Sequence, residues 1–492
     1  MKKRLILSAF VASLFLTVGC STDFLDVQPT EFLTDEQLAE EGEINAELLA
    51  GTVSGIYTMM VQTETGGTTG DNDFGQKGYD IMSDMLSGDM ALTSNSYNWY
   101  AGVAELQSTQ NFASTNNYIG WRYYYRVIRS TNQVIATLGG NDFVPTNPES
   151  KALVGQAKAL RAYAYFYLAQ LYVREYDAAK PVLPIYLETA KFAEPKSTCG
   201  EVYAQIVKDL TESIDLLADF DRTSKVQINQ YVAKGLLAYT YAAMGMNAEA
   251  KVLTQDIITN GGFPKMTTAQ LTGGFNDVNT APSWMWGFDL TANQGLDLVS
   301  WWGQIDLYTY SYAWAGDRKA IDRGLYTMIP TNDARRAQFN GGTSANALMP
   351  TNKFYHQNKV IGGQREVTTD YVYMRVDEMY LLNAETAAKS GDEAGAKTVL
   401  KAFLAPTRIP NADYVDALTG QALLDEIYKQ TRIEFWGEGK SYLALKRNKG
   451  KVTRGSNHLF LAGQEFQYND PKLIFKIPQA EILNNPLINE QN

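Results

Sequence analysis

The stretch NQYVAKGLLAYTYAAMGMNAEAKVLTQDII, Asn229 to Ile258, decides the fold. Its first half sets Ala233, Leu236, Leu237, Tyr239, Tyr241 and Ala242 at helical spacing, the recurrence that marks one buried face of a 3.6-residue repeat. Gly245 breaks the pattern and supplies a turn. Ala248 to Ile258 then reads as a return helix. The small alanines let the paired helices approach closely, and Leu237 and Tyr239 fill the gap between them. Tyr371–Ala388 and Ala394–Leu404 repeat this plan around Gly391-Asp392.

The two pairs span 30 and 34 residues, near the tetratricopeptide period of about 34. Working outward, Gln156–Tyr172 (QAKALRAYAYFYLAQLY) is apolar nearly all round, as suits a central helix packed on several sides. Arg161 within it is expected to meet an internal carboxylate or backbone carbonyls in a structural role. Further helices are expected at Tyr79–Met85, Trp121–Leu138, Glu201–Leu217 and Leu423–Trp436. Thr34 followed by Gln37 suggests a capping box opening a helix that runs to about Met60. Gly66–Gly75 holds four glycines and reads as loop. Between about 261 and 369 the helical period is lost, and Gly, Asn, Thr and Pro are frequent. A structureless loop of that length does not suit a compact domain, so the segment is expected to be a folded insertion. The expected architecture is mainly α: a tetratricopeptide-like helical superhelix with a loop-rich insertion containing short strands. It forms one domain over 34–492, with scaffold at about 34–260 and 370–492 and a ligand-binding insertion at about 261–369.

Composition narrows the function. The chain has 492 residues and a formal charge of −11. That is the wrong sign for a nucleic-acid partner. Two cysteines and two histidines argue against a disulfide scaffold and a His/Cys zinc site. Lys2, Lys3 and Arg4 precede an apolar run, Leu5–Val18, of 14 residues. A membrane span needs roughly 20, so the run reads as an export signal over 1–19. It ends in Leu16-Thr17-Val18-Gly19-Cys20, which is similar to a bacterial lipobox, with Cys20 as the lipidated first residue of a leader over 20–33. Cys199 is then left as a lone thiol, expected to be buried.

Aromatic residues concentrate in the insertion. Trp284–Trp314 holds nine: Trp284, Trp286, Phe288, Trp301, Trp302, Tyr308, Tyr310, Tyr312 and Trp314. The chain's 12% average would place about four there. Asp289, Asn293, Gln294, Asp297, Gln304 and Asp306 are interleaved. Flat apolar rings among amides and carboxylates suit the CH-rich faces and hydroxyls of a sugar. The alternating Tyr308, Tyr310 and Tyr312 also suit one face of a strand packed on the core. Asn98-Trp99-Tyr100, after the polar stretch Thr93–Ser96, is a second small group of the same kind. The expected stacking platform is Trp99, Tyr100, Trp301, Trp302, Tyr310 and Trp314. Asn98, Gln304 and Asp306 are the candidates for hydroxyl contacts.

Signals for catalysis are thin. No phosphate-binding loop, dinucleotide fingerprint, nucleophile elbow or zinc-protease motif occurs, so no cofactor or metal is expected. His356 and His458 are far apart and read as surface or loop residues. Glu434 and Glu438 share a spacing that most often marks a solvated or ion-paired helix face. Gly70-Asp71-Asn72-Asp73 resembles a calcium loop only faintly, because the terminal Glu is missing. A carboxylate pair for glycoside cleavage stays open on sequence alone, as does a purely scaffolding role for the helical hairpins.

Several stretches in order resemble the SusD/RagB family, the outer-membrane nutrient-binding lipoproteins of Bacteroidetes. They are the lipobox followed by Asp23-Phe24-Leu25-Asp26-Val27-Gln28-Pro29; Ala159-Leu160-Arg161-Ala162-Tyr163-Ala164-Tyr165-Phe166; Arg432-Ile433-Glu434 with Glu438-Gly439; and Ile477-Pro478-Gln479-Ala480-Glu481-Ile482 with Asn485-Pro486. Thr431, Ser441, Ala444 and Gly437 depart from the family's usual residues. The resemblance implies a SusD-like helical superhelix with a variable loop-rich face, anchored by lipid on the extracellular side of the outer membrane. It implies non-catalytic capture of oligosaccharides, or of peptides in some relatives, for a SusC-like TonB-dependent transporter.

Overall fold

The computed structural model describes residues 46–492. The expected export signal, the lipid-bearing Cys20, the leader and the Thr34 capping box lie outside the described residues. Within them the chain is helix-rich with few short strands.

The N-terminal half runs through helices α1 (Ala46–Met59), α2 (Gln76–Leu86), α3 (Ala101–Ala104), α4 (Thr115–Thr137), α5 (Pro148–Tyr172), α6 (Cys199–Leu216), α7 (Gln230–Met244) and α8 (Asn247–Asn260), with strands β1 (Met90–Leu92), β2 (Pro181–Leu183) and β3 (Ser197–Thr198) between them. The irregular stretch that follows holds α9 (Thr268–Leu271), β4 (Trp284–Phe288), α10 (Trp301–Ile305), α11 (Tyr312–Ala315), β5 (Lys319–Ile321) and α12 (Arg323–Thr327). The chain then enters β6 (Tyr371–Arg375), α13 (Val376–Lys389), α14 (Glu393–Leu404), α15 (Gly420–Glu434), α16 (Ser441–Arg447), the hairpin β7 (Lys451–Thr453) and β8 (Glu465–Gln467), and α17 (Gln479–Asn484).

Packing is sequential: α4 on α5, α5 on α6, α6 on α7, α7 on α8, α8 on α13 and α13 on α14. This is the tetratricopeptide-like plan, and α8 meets α13 directly, so the intervening segment leaves and rejoins the stack between neighbouring helices. The hairpin forms for local reasons. Asn229 accepts from Val232 N at 3.1 Å and starts α7, satisfying an orphan donor of the first turn. Gly245 closes the helix at φ 81°, a left-handed cap that glycine adopts without strain. The second hairpin differs at its start, because Tyr371–Arg375 is a strand. It pairs antiparallel with β4, and its aromatic and β-branched residues are suited to a pleated, buried surface.

Helix α5 is central, with all residues from Ala152 to Tyr172 buried. Arg161 finds the internal carboxylate, donating to both oxygens of Asp209 at 2.8 and 2.6 Å. The Tyr124 and Tyr167 rings stack at 5.9 Å, and Tyr124 donates to Gln76 at 2.8 Å. Cys199 is buried and free at the start of α6.

Glu434 and Glu438 do not form an exposed helix face. Helix α15 ends at Glu434, and both carboxylates turn inward. Arg375 donates to Glu434 and Glu438 at 2.8 Å each. Arg408 and Arg335 also reach Glu434, at 2.8 and 3.1 Å, and Lys353 reaches Glu438 at 2.8 Å. Burial pushes the Glu434 carboxyl up, but Arg408, Arg375 and Arg335 outweigh it and hold it well below the usual range. Arg335 and Lys353 come from the irregular segment, so this buried network ties that segment to the helical stack. His458 is buried rather than exposed, with Nε2 3.2 Å from Asp322 and from the Gly88 carbonyl.

Candidate functional site

Two loops meet on one side of the stack. The first is residues 93–100, following β1. The second is residues 306–317, containing α11. They are joined because β1 pairs antiparallel with β5, with Met90 opposite Ile321. Asp317, next to β5, reaches back to the first loop. Its carboxylate accepts from the backbone N–H of Ser96 at 2.5 Å, Tyr97 at 2.8 Å and Trp99 at 3.2 Å. Ser94 adds a hydrogen bond to the Gly316 carbonyl at 2.6 Å. Asn98 and Tyr100 both take positive φ, 69° and 65°, a conformation costly for residues with a Cβ. The Asp317 contacts offset that strain and fix the loop's shape.

The rings of the two loops that reach the surface are Tyr97, Trp99, Tyr308, Tyr310 and Trp314. Tyr97 is 55% and Trp314 39% exposed, while Trp99 and Tyr310 are half-buried. Tyr312 lies beneath and joins the loops, its ring 5.3 Å from Tyr97 and 5.9 Å from Trp99. Its hydroxyl donates to Asp71. Tyr310 sits 5.6 Å from Trp314 and carries the Arg365 guanidinium over its ring, 4.0 Å from the centroid. Trp314 also rests on the backbone of Gly362, where an added Cβ would stand 3.2 Å from the indole. Asn98 is exposed, and its side-chain oxygen accepts from Asn95 at 2.7 Å.

The other expected site residues are internal. Trp301 and Trp302 are 2% and 1% exposed. Trp301 packs edge-on against Phe354 at 4.7 Å and Trp302 at 5.0 Å, and the Trp302 Nε1 donates to the Asp370 carbonyl at 3.3 Å. Rings so covered cannot stack on a ligand, so the pair is core and not platform. Tyr100 is also buried. Gln304 is a structural bridge, donating to the Asp71 carbonyl at 3.0 Å and accepting from Lys319 at 2.6 Å. Burial lowers the Lys319 ammonium to about 7. Asp306 accepts from Tyr308 N at 3.0 Å, Thr309 Oγ1 at 2.8 Å and His356 N at 3.0 Å. Burial outweighs those bonds and raises its carboxyl to about 6. Of the expected set, Asn98, Trp99, Tyr310 and Trp314 therefore share the surface loops. Tyr97 and Arg365 were not singled out by sequence; the polar stretch beside Tyr97 was the available signal.

The calcium-like stretch is occupied by its own loop. The Asp73 carboxylate accepts from Gly66 N at 2.7 Å and from Thr68 N and Oγ1 at 2.9 Å each.

These loops are mounted on a tetratricopeptide-like helical stack, and comparison with known proteins identifies the family. Residues 23–242 match a family model described as starch-binding and associating with the outer membrane. Residues 307–492 match the SusD family model. The chain belongs to the SusD/RagB family. Proteins of this family bind glycans and associate with the outer membrane. A SusD-like carbohydrate-binding protein from Bacteroides vulgatus superposes with a TM-score of 0.76 at 23% identity, covering 90% of this chain and 97% of that one. A SusD superfamily protein from Bacteroides thetaiotaomicron gives 0.75 at 21%, covering 91% and 99%. Surface glycan-binding protein A of Bacteroides thetaiotaomicron, in complex with laminarihexaose, gives 0.65 at 16%, covering 91% and 99%. These likenesses establish the fold. No curated protein matches the chain.

Proposed function

We propose that this protein captures oligosaccharides on the outer face of the outer membrane and delivers them, uncleaved, to a SusC-like TonB-dependent transporter. Cys20 carries the lipid anchor, and the helical stack with its insertion acts as one domain. The observation that carries the reading is the loop pair latched by Asp317, which presents Tyr97, Trp99, Tyr310 and Trp314 outward. Aromatic faces bind the CH-rich faces of sugars without needing charge. Asn98 and Arg365 stand beside them as hydrogen-bonding groups for hydroxyls. A platform fixed before ligand arrives loses less conformational entropy on binding. A structural relative held with laminarihexaose supports sugar over peptide as the ligand class.

The test is retardation of the purified chain in native gels containing a panel of polysaccharides, with each mixture assayed for released reducing sugar. Retardation without released sugar is expected. Released sugar would contradict non-catalytic capture, and absence of retardation across the panel would contradict the ligand class. Co-purification of a β-barrel transporter with the lipidated chain from outer membranes tests the partner.

A further inference from the structure

A second aromatic cleft, lined by residues outside the two loops, lies along α4. There Tyr118, Trp121, Tyr125, Tyr186 and Phe192 line a cleft of about 390 Å³ closed on one side by the C-terminal segment around Pro478 and Glu481. That volume is within the roughly 300–1,000 Å³ typical of small-ligand sites. Phe192 is 75% exposed and stands at the rim of an aromatic group rather than alone.

The same cleft gathers cations in an acidic chain. Arg122, Arg126 and Arg129 follow one another at helical spacing on α4. None of them meets a carboxylate among the described residues. Arg122 donates to the Tyr118 hydroxyl at 2.9 Å, Arg126 to the Thr65 carbonyl at 2.7 Å, and Arg129 lies 5.7 Å from the Phe192 ring. Lys191 stands nearby, 3.8 Å from Glu188 and 3.2 Å from Glu194. The remaining acid, Glu481, is engaged by Trp121 Nε1 at 3.2 Å and Asn485 Nδ2 at 2.8 Å. The cleft therefore offers rings together with guanidinium forks that hold no anion. Such forks match carboxylates in bidentate geometry.

We infer that this cleft is a second ligand site, selective for acidic oligosaccharides whose carboxylates engage Arg122 and Arg129 while sugar faces rest on Tyr118, Tyr125 and Phe192. The geometry favours a sugar over an extended peptide. The α4 wall is helical, with its backbone groups bonded internally, and the wall from residues 186–192 is irregular and belongs to no strand, so neither presents a sheet edge for strand addition. This inference is independent of the loop platform and adds a charge preference that the neutral rings there do not supply.

The test is calorimetric titration of the purified chain with tetragalacturonate at low salt, alongside maltotetraose and hexaglutamate. Tetragalacturonate is expected to bind. Its affinity should fall at least about tenfold in Arg122→Gln/Arg129→Gln, because charge-assisted hydrogen bonds are lost, and fall again at high salt. Both arginines are exposed, so the variant keeps its fold. Phe192→Ala, also at an exposed position, should weaken tetragalacturonate by about fivefold, on the scale of one stacked ring. Maltotetraose binding, which needs no carboxylate, should be unchanged in Arg122→Gln/Arg129→Gln, which separates this site from the loop platform. No binding of tetragalacturonate, binding indifferent to the arginine pair, or equal binding of hexaglutamate would each overturn the inference.

Discussion

Trp301 and Trp314 belong to one aromatic run and end in opposite surroundings. Trp301, with Trp302, sits in a helical turn packed against Phe354 and under β6, and is sealed from water. Trp314 lies beyond a polar latch, resting on Gly362 with one face open. Aromatic density in a sequence therefore measures how much apolar surface a segment must place, not where. Placement is decided by what covers each ring, which here is the backbone path set by β5, β6 and Asp317.

Breaking the covered half should give the largest effect. Trp302→Ala removes a fully buried indole, and such truncations cost about 3–5 kcal/mol. Its melting temperature should drop by many degrees, while the fraction that remains folded keeps its glycan affinity. Scanning calorimetry paired with titration distinguishes the two readouts.

Breaking the open half should invert the pattern. Trp99→Ala or Trp314→Ala should weaken glycan binding by about 1–3 kcal/mol, by analogy with base stacking on aromatic side chains. The melting temperature should move little, because these rings already meet water. Equal losses of stability in both classes of variant would erase the distinction between core and platform.

The latch can be tested separately. Asp317→Ala leaves three backbone N–H groups without their acceptor and two residues at positive φ without support. Affinity should fall about tenfold, roughly 1.4 kcal/mol, as the loop loses its fixed shape. Amide exchange over residues 94–100 should accelerate. An unchanged affinity would show that the platform does not depend on preorganisation.

A separate readout concerns pH. Asp370, whose backbone carbonyl receives Trp302, has its carboxyl raised to about 7 by burial. Between its unfolded value near 4 and 7, the folded state holds more protons than the unfolded one. Stability from this group is complete at low pH and is lost as pH rises through 7. Asp370→Asn should flatten that part of the melting-temperature profile. A profile indistinguishable from the parent's would contradict the assignment.

Much of the scaffold is legible in the sequence because helical periodicity and end signals agree. Asn229 and Gly245 bound α7 as their chemistry requires, and Arg161 meets a carboxylate as a buried guanidinium must. The strand at Tyr371–Arg375 was harder to read, since its residues run directly into a helix and only pairing with β4 separates them. The site was legible in part. Trp99, Tyr310 and Trp314 reach the surface, but Trp301, Trp302 and Tyr100 do not. Their fate depends on Phe354 and β6 for the tryptophans, and on Gly78 and Lys319 for Tyr100, none of which local spacing reveals. The same holds for Glu434 and Glu438, whose partners Arg335, Lys353, Arg375 and Arg408 come from separate parts of the chain.

The most direct measurement compares Trp99→Ala/Trp314→Ala with Trp302→Phe in native affinity electrophoresis against the polysaccharide that retards the parent chain. The phenylalanine keeps most of the buried volume, so both proteins stay folded. The account requires the loop variant to lose retardation and the core variant to keep it. Retention by the loop variant, or loss by the folded core variant, would contradict it.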